Sequence, residues 1–243
     1  PGVGRFHVDS TCSSIEGLFD LISLVHVLEH VVDPVKMLES LRGKLAPGGR
    51  LLVQIPSWEC NPFDLVIADH CTHFTTDSLA NVGRRAGLQP LDLEAGWVSK
   101  EISLVFSTAD SSNNNRQCNP EASVKRAQRA VRWLDDTWRA ASAHCNRTNF
   151  GLFGTSIAAT WLYGQLHEEV GFFVDEAPER VGRDLLGRPV VDPGGVDEGG
   201  LVFVGMSPSI VEPICRRLAG FGVDYIAPPK LPTWQTPSQK KEG

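Results

Sequence analysis

Residues 19–58 read FDLISLVHVLEHVVDPVKMLESLRGKLAPGGRLLVQIPSW, and the reading of this stretch decides the fold. Leu21, Ile22, Leu24 and Val25 form a nearly continuous apolar run, the pattern of a parallel strand covered on both faces. Asp33-Pro34 suits a helix start, because Asp caps well and Pro fits the first turn. Val35, Leu38, Leu41 and Leu45 then recur at helical spacing and define one face that packs on a sheet. Pro47-Gly48-Gly49 ends that helix and leads into a second buried strand at 51–55. Strand, helix and strand in succession predict an α/β fold.

Working outward, Thr76 or Asp77 caps a helix carrying Leu79, Val82 and Ala86, stopped by Gly87. Two more strands are expected near 91–93 and 102–106, which closes a first module at 1–108. Residues 109–120 (ADSSNNNRQCNP) are polar and turn-rich and read as a linker. A connecting helix follows at 121–148, with Val124, Ala127, Val131, Leu134, Trp138, Ala141 and Cys145 as a narrow apolar seam. Strand and helix patterns then alternate through 149–228, predicting a second, smaller Rossmann-like module with a parallel sheet. The tail at 229–243 is rich in proline and lysine and reads as disordered.

The quoted stretch resembles the class I S-adenosylmethionine-dependent methyltransferases, in which it covers the fourth strand, the next helix and the fifth strand. Later elements sharpen the likeness. Asp69-His70, His73-Phe74-Thr75, Phe153-Gly154-Thr155-Ser156, Phe173-Val174-Asp175-Glu176-Ala177-Pro178 and the spacing of Gly182, Leu185, Gly187, Pro189-Val190 and Pro193 are similar to sugar C-methyltransferases with a C-terminal Rossmann-like domain. The chain departs from their pattern at Ile67, Asp69 and Ser156. The resemblance implies S-adenosylmethionine as cofactor and a sugar or sugar nucleotide as acceptor. It also implies an N-terminal truncation, because the family's glycine-rich cofactor loop lies upstream and Pro1-Gly2-Val3-Gly4 has no strand before it. On that reading, the fragment alone is inactive and holds the cofactor poorly.

Ligands in sheets of this type bind outside the carboxyl ends of the strands. The loop after the fifth family strand therefore offers His70 as a general base and Asp69 as a second catalytic candidate, with His73 at the entry turn of the following helix. For His70 the alternative is a histidine that fixes this loop through backbone hydrogen bonds, His73 reads rather as a structural helix-entry residue, and Asp69 is free to contact the substrate separately. The resemblance places Asp9 and Ser10 at the adenine and makes Val25 and His26 cofactor-wall residues, while Glu29-His30 reads as turn architecture. No metal is expected, since His70, His73, Cys60 and Cys71 match no standard zinc spacing. In the second module, Gly154-x-Ser156-x-x-Ala159 is a degraded dinucleotide fingerprint, with Asp175 where a ribose-binding acid would sit. This keeps open a nicotinamide-dependent oxidoreductase, and a non-catalytic binding protein is a third possibility.

Composition narrows the classes. With 243 residues, 42% of them hydrophobic, the chain can bury one or two cores. A net charge of −6 disfavours nucleic acid and anionic membrane as partners. No apolar run approaches the ~20 residues of a membrane span. Cys12, Cys60, Cys71, Cys118, Cys145 and Cys215 are scattered, which suits free thiols in a cytoplasmic setting. A homo-oligomer is compatible with everything above.

Overall fold

The computed structural model describes residues 15–94, 98, 100–108, 119–146 and 149–231. It divides into two compact units, residues 1–58 with 68–123, and residues 59–67 with 124–243. Both are α/β. The first contains β1 (Phe19–Val25), α1 (Pro34–Arg42), β2 (Leu45–Pro56), α2 (Thr76–Arg85), β3 (Gln89–Glu94) and β4 (Glu101–Ser107). Its sheet runs in the order β1-β2-β4-β3. β1 and β2 are parallel, while β4 is antiparallel to both of its neighbours.

Three details correct the sequence reading of this unit. The first helix ends at Gly43 rather than at Pro47-Gly48-Gly49, with Lys44 N–H donating to Leu41 O to close the last turn. Leu45 thus starts β2 opposite Phe19, and the Pro-Gly-Gly segment lies within the strand, where the register shifts between Phe19 and Leu21. Gly48 takes φ +78° there, a left-handed conformation that glycine adopts without strain. Second, β1 is not covered on both faces. Among the described residues it pairs only with β2, so Phe19, Leu21 and Val25 are exposed and Leu24 alone is buried. Third, the cap of α2 is Thr75. Its Oγ1 accepts from Ser78 N–H while Ser78 Oγ accepts from Thr75 N–H, a reciprocal box that satisfies two amide donors where Thr76 or Asp77 would satisfy fewer.

The second unit comprises α3 (Pro120–Ser142) from Val124 onward, β5 (Phe150–Phe153), α4 (Ile157–Leu166), β6 (Phe172–Val174), β7 (Asp184–Leu185), β8 (Arg188–Val191), β9 (Leu201–Phe203), α5 (Pro208–Leu218) and β10 (Asp224–Ile226). Its sheet order is β10-β9-β5-β6-β8-β7, parallel except for the short β7-β8 hairpin. The apolar seam of α3 differs from the one expected. Ala130, Trp133, Leu134, Thr137 and Ala141 are buried, whereas Val124 and Val131 are exposed. Trp133 rotates the face: its ring packs edge-on against Phe63 and its Nε1–H donates to Pro229 O. Phe63 also meets Trp161, which explains why the segment 59–67 belongs with this unit. Of the tail expected to be disordered, Pro229 is held by Trp133 and Leu231 packs on the same cluster, while residues 232–243 lie outside the described residues. Residues 109–118 of the expected linker lie outside the described residues.

Asp175, just beyond β6, joins two strand ends. Its carboxylate accepts from Thr155 N–H, Thr155 Oγ1–H, Ala177 N–H and Arg180. Burial pushes this carboxyl upward, but the donated bonds from Ala177, Thr155 and Arg180, with the Arg180 charge, outweigh it and hold the group below its ordinary range.

Two outcomes follow from this packing. Gly83 lies where α2 crosses β4, and a Cβ built there overlaps the fully buried Phe106 ring. Gly83→Ala gains ~1 kcal/mol of helix propensity but overpacks a rigid core, at a typical cost of about 1–3 kcal/mol. We expect a net loss, read as a lower urea midpoint for the first unit. For Asp175→Asn, we expect a loss of about 1–3 kcal/mol at pH 7. A depressed carboxyl contributes stability above its unfolded value near ~3.9, and that stability disappears as pH falls through the lower folded value. The gap between parent and variant should therefore close below pH ~4 in urea titrations.

Candidate functional site

The carboxyl end of β1 carries the chemistry-bearing residues of the first unit. His26 follows the strand directly, and its N–H donates to Gln54 O at 3.0 Å, extending the ladder by one bond. Its φ is +51°, a left-handed conformation uncommon for a residue with a side chain. The ring stands between two carboxylates, with Nδ1 3.4 Å from Glu29 Oε1 and Nε2 3.2 Å from Glu101 Oε1.

A single 3-10 turn at Leu28–His30 comes next, closed by His30 N–H to Val27 O and Val31 N–H to Leu28 O. Leu28 is fully buried and draws its neighbour inward. Glu29 is only 2% exposed, and neither of its carboxylate oxygens accepts a hydrogen bond. His30 points the other way, towards the loop between β2 and α2. Its Nδ1 lies 3.1 Å from Asp69 O and 3.3 Å from Asp69 Oδ2. The loop is tied back by Thr72 N–H donating to Glu29 O and by Cys71 Sγ–H to His30 O.

Within this arrangement the His70 ring meets His30 edge-on, with centroids 4.8 Å apart and planes at 84°. His73 is 6.0 Å from His70, tilted. The structure thus brings His70 and Asp69 to one edge with Val25 and His26. Asp69 engages His30 and not His70. Asp9 and Ser10 lie outside the described residues. Glu29 and His30, read from the sequence as turn architecture, stand at the same edge, and Glu101 joins them without having been singled out. A carboxylate following an apolar residue at a strand end was the available signal for Glu29; nothing local pointed to Glu101, which arrives from β4.

Chemically, the edge offers imidazoles that can accept a proton and a buried carboxylate that can face a cation. It also offers an apolar wall, because Val25 is 47% exposed at the strand terminus. An adenosyl or methylthio group can lie against such a side chain, so the described residues fit that part of S-adenosylmethionine.

Comparisons with known proteins agree with this assignment of the first unit. Residues 5–93 match the family model described as "Methyltransferase domain". The chain is 32% identical over 135 residues to an uncharacterized 37.1 kDa protein in transposon TN4556 of Streptomyces fradiae, an alignment covering 49% of this chain and 39% of that protein. It is 29% identical over 106 residues to the ubiquinone biosynthesis O-methyltransferase of Cereibacter sphaeroides, covering 38% of this chain and 42% of the relative. The chain thus spans about two fifths of these curated relatives. Among solved structures, the mitomycin 7-O-methyltransferase MmcR superposes with a TM-score of 0.37 at 19% identity, over 42% of this chain and 33% of that one. The likeness to methyltransferases thus concerns residues 5–93, and it indicates S-adenosylmethionine as the cofactor.

Proposed function

We propose that the protein transfers a methyl group from S-adenosylmethionine to a sugar or sugar-nucleotide acceptor at the carboxyl edge of the first sheet. The observation that carries this reading is the placement of His70, in a loop beside the strand end, edge-on to a His30 that Asp69 holds. The cofactor supplies a methyl group already activated on a sulfonium sulfur. The chain's residues have to align the acceptor and take its proton. His70 accepts that proton, from a hydroxyl or from a carbon beside a ketone, and becomes imidazolium. Asp69 acts through His30 as a positioning residue, limiting the space in which the His70 ring turns. Val25 covers the cofactor side and keeps water from it.

The sugar acceptor rests on the similarity of Asp69-His70, Phe74-Thr75 and the 173–193 segment to sugar C-methyltransferases. We place the reaction in the cytoplasm, in keeping with the free state of Cys60, Cys71, Cys145 and Cys215. Against the nicotinamide reading of the second unit stands Asp175, whose carboxylate accepts from Thr155, Ala177 and Arg180 and is 7% exposed. A ribose would have to displace those donors.

The test uses protein expressed from its complete coding sequence. Calorimetry with S-adenosylmethionine should give saturable binding, and labelled methyl should appear in a nucleotide-linked keto-sugar. His70→Ala should lower kcat by at least ~100-fold, the ordinary scale of general acid-base help, with cofactor affinity unchanged. Parent-like turnover in the variant would remove His70 from the mechanism. Cofactor binding without label in any sugar nucleotide would overturn the acceptor class.

A further inference from the structure

We infer that Glu29, His30 and His70 form a binding site for a first-row divalent metal ion of the zinc type. The three side chains each offer one donor atom, and these atoms lie within 4.8 Å of one another. Two imidazoles and one carboxylate are a donor set zinc accepts, with a fourth position left open. Bonds of ~2.0–2.1 Å in a tetrahedral arrangement bring ligand atoms to roughly 3.4 Å.

Two independent features point to a cation here. Glu29 is only 2% exposed, yet neither oxygen accepts a hydrogen bond; the basic side chain at ion-pair distance is the His26 imidazole at 3.4 Å, which also reaches Glu101. An ionised carboxylate removed from water is costly unless paired or coordinating a metal. The second feature is the support behind His30. Its Nδ1 faces the carbonyl and carboxylate oxygens of Asp69, an arrangement that favours the tautomer with Nδ1–H donating to Asp69 and Nε2 open to a ligand. A ligating histidine ordinarily carries this kind of outer partner, which fixes its tautomer and orientation.

The inference rests on this geometry and not on methyl transfer. It has one consequence for that reaction. A metal-bound imidazole keeps its remaining proton on the other nitrogen and cannot act as a base. Zinc and an acceptor proton therefore compete for His70, and added zinc should inhibit any turnover that depends on it.

The measurement is titration of tag-free, chelator-treated protein with Co2+, followed by displacement with Zn2+. The parent should bind one equivalent and develop the visible absorption of a tetrahedral cobalt centre. Glu29→Gln, which keeps the buried volume, and His70→Ala should each lose that spectrum, with folding checked by circular dichroism. Asp69→Asn should weaken binding by about 10-fold, the low end of the outer-partner range, because the Asp69 carbonyl still holds His30. His144→Gln, outside the cluster, should bind as the parent does. An unaltered hexa-aqua cobalt spectrum in the parent would overturn the site. Parent-like binding by Glu29→Gln or His70→Ala would also do so, placing the ion elsewhere; if one variant unfolds, the other decides. Failure here leaves cofactor binding and label transfer unaffected, so the two readings fail separately.

Discussion

Leu28 and Phe74 are sunk into one core, at 0% and 2% exposure, and they pin two chain segments that carry the polar residues of the first unit. Leu28 fixes the turn after β1, while Phe74 fixes the far end of the loop that precedes α2. Between these anchors the chain has little freedom: Thr72 N–H reaches Glu29 O, and Asp69 reaches His30. Burying a leucine or a phenylalanine contributes about 1.5–3 kcal/mol each, more than the exposed His30–Asp69 contact can, since such surface pairs contribute ~0–1 kcal/mol. The apolar anchors thus set the geometry, and the polar contacts refine it. Loss of either anchor would release the histidines before it unfolded the sheet.

The parts of the fold that were legible in the sequence are those where period and punctuation agree. Asp33-Pro34 capped the first helix as read, with Asp33 accepting from Lys36 N–H. The strand patterns at 150–153, 172–175 and 201–204 also appear in the structure, the last two each one residue shorter, as Phe172–Val174 and Leu201–Phe203. The misreadings have local physical causes. Leu45 continues a helical spacing and is buried in either assignment, so periodicity could not distinguish helix from strand. The seam of α3 was shifted because a heptad count weighs Val124 and Val131 like Trp133. Yet Trp133 covers more surface and finds an acceptor in Pro229, 96 positions away. The site was half legible: His70 and Asp69 stand in a loop that topology puts at the strand ends, whereas Glu101 comes from a strand with no chemical signature of its own.

The second unit shows how a pattern can persist while its physical use changes. Gly154 keeps a positive φ of +86° at the turn after β5, as a dinucleotide fingerprint requires. The acid that would bind a ribose is instead turned inward, where Thr155, Ala177 and Arg180 occupy it. Ser156 caps α4 by position without a side-chain bond. The turn has become a brace between β5 and β6, and its neighbour Glu176 is paired with Arg217 of α5 in the same spirit. Removing the strand-end acid would leave the donors of Thr155, Ala177 and Arg180 without this acceptor.

Glu29 is the opposite case. Asp175 and Glu29 are both buried strand-end carboxylates, at 7% and 2% exposure. Asp175 is surrounded by donors, so the fold itself accounts for its charge. Around Glu29 the hydrogen-bond donors are absent for both oxygens, and one imidazole shared with Glu101 stands at ion-pair distance. A carboxylate taken out of water is costly unless it is paired or coordinates a cation. One shared imidazole offsets part of that cost for Glu29. The two histidines whose donor atoms lie within 4.8 Å of it are where the proposed metal ion would supply the rest.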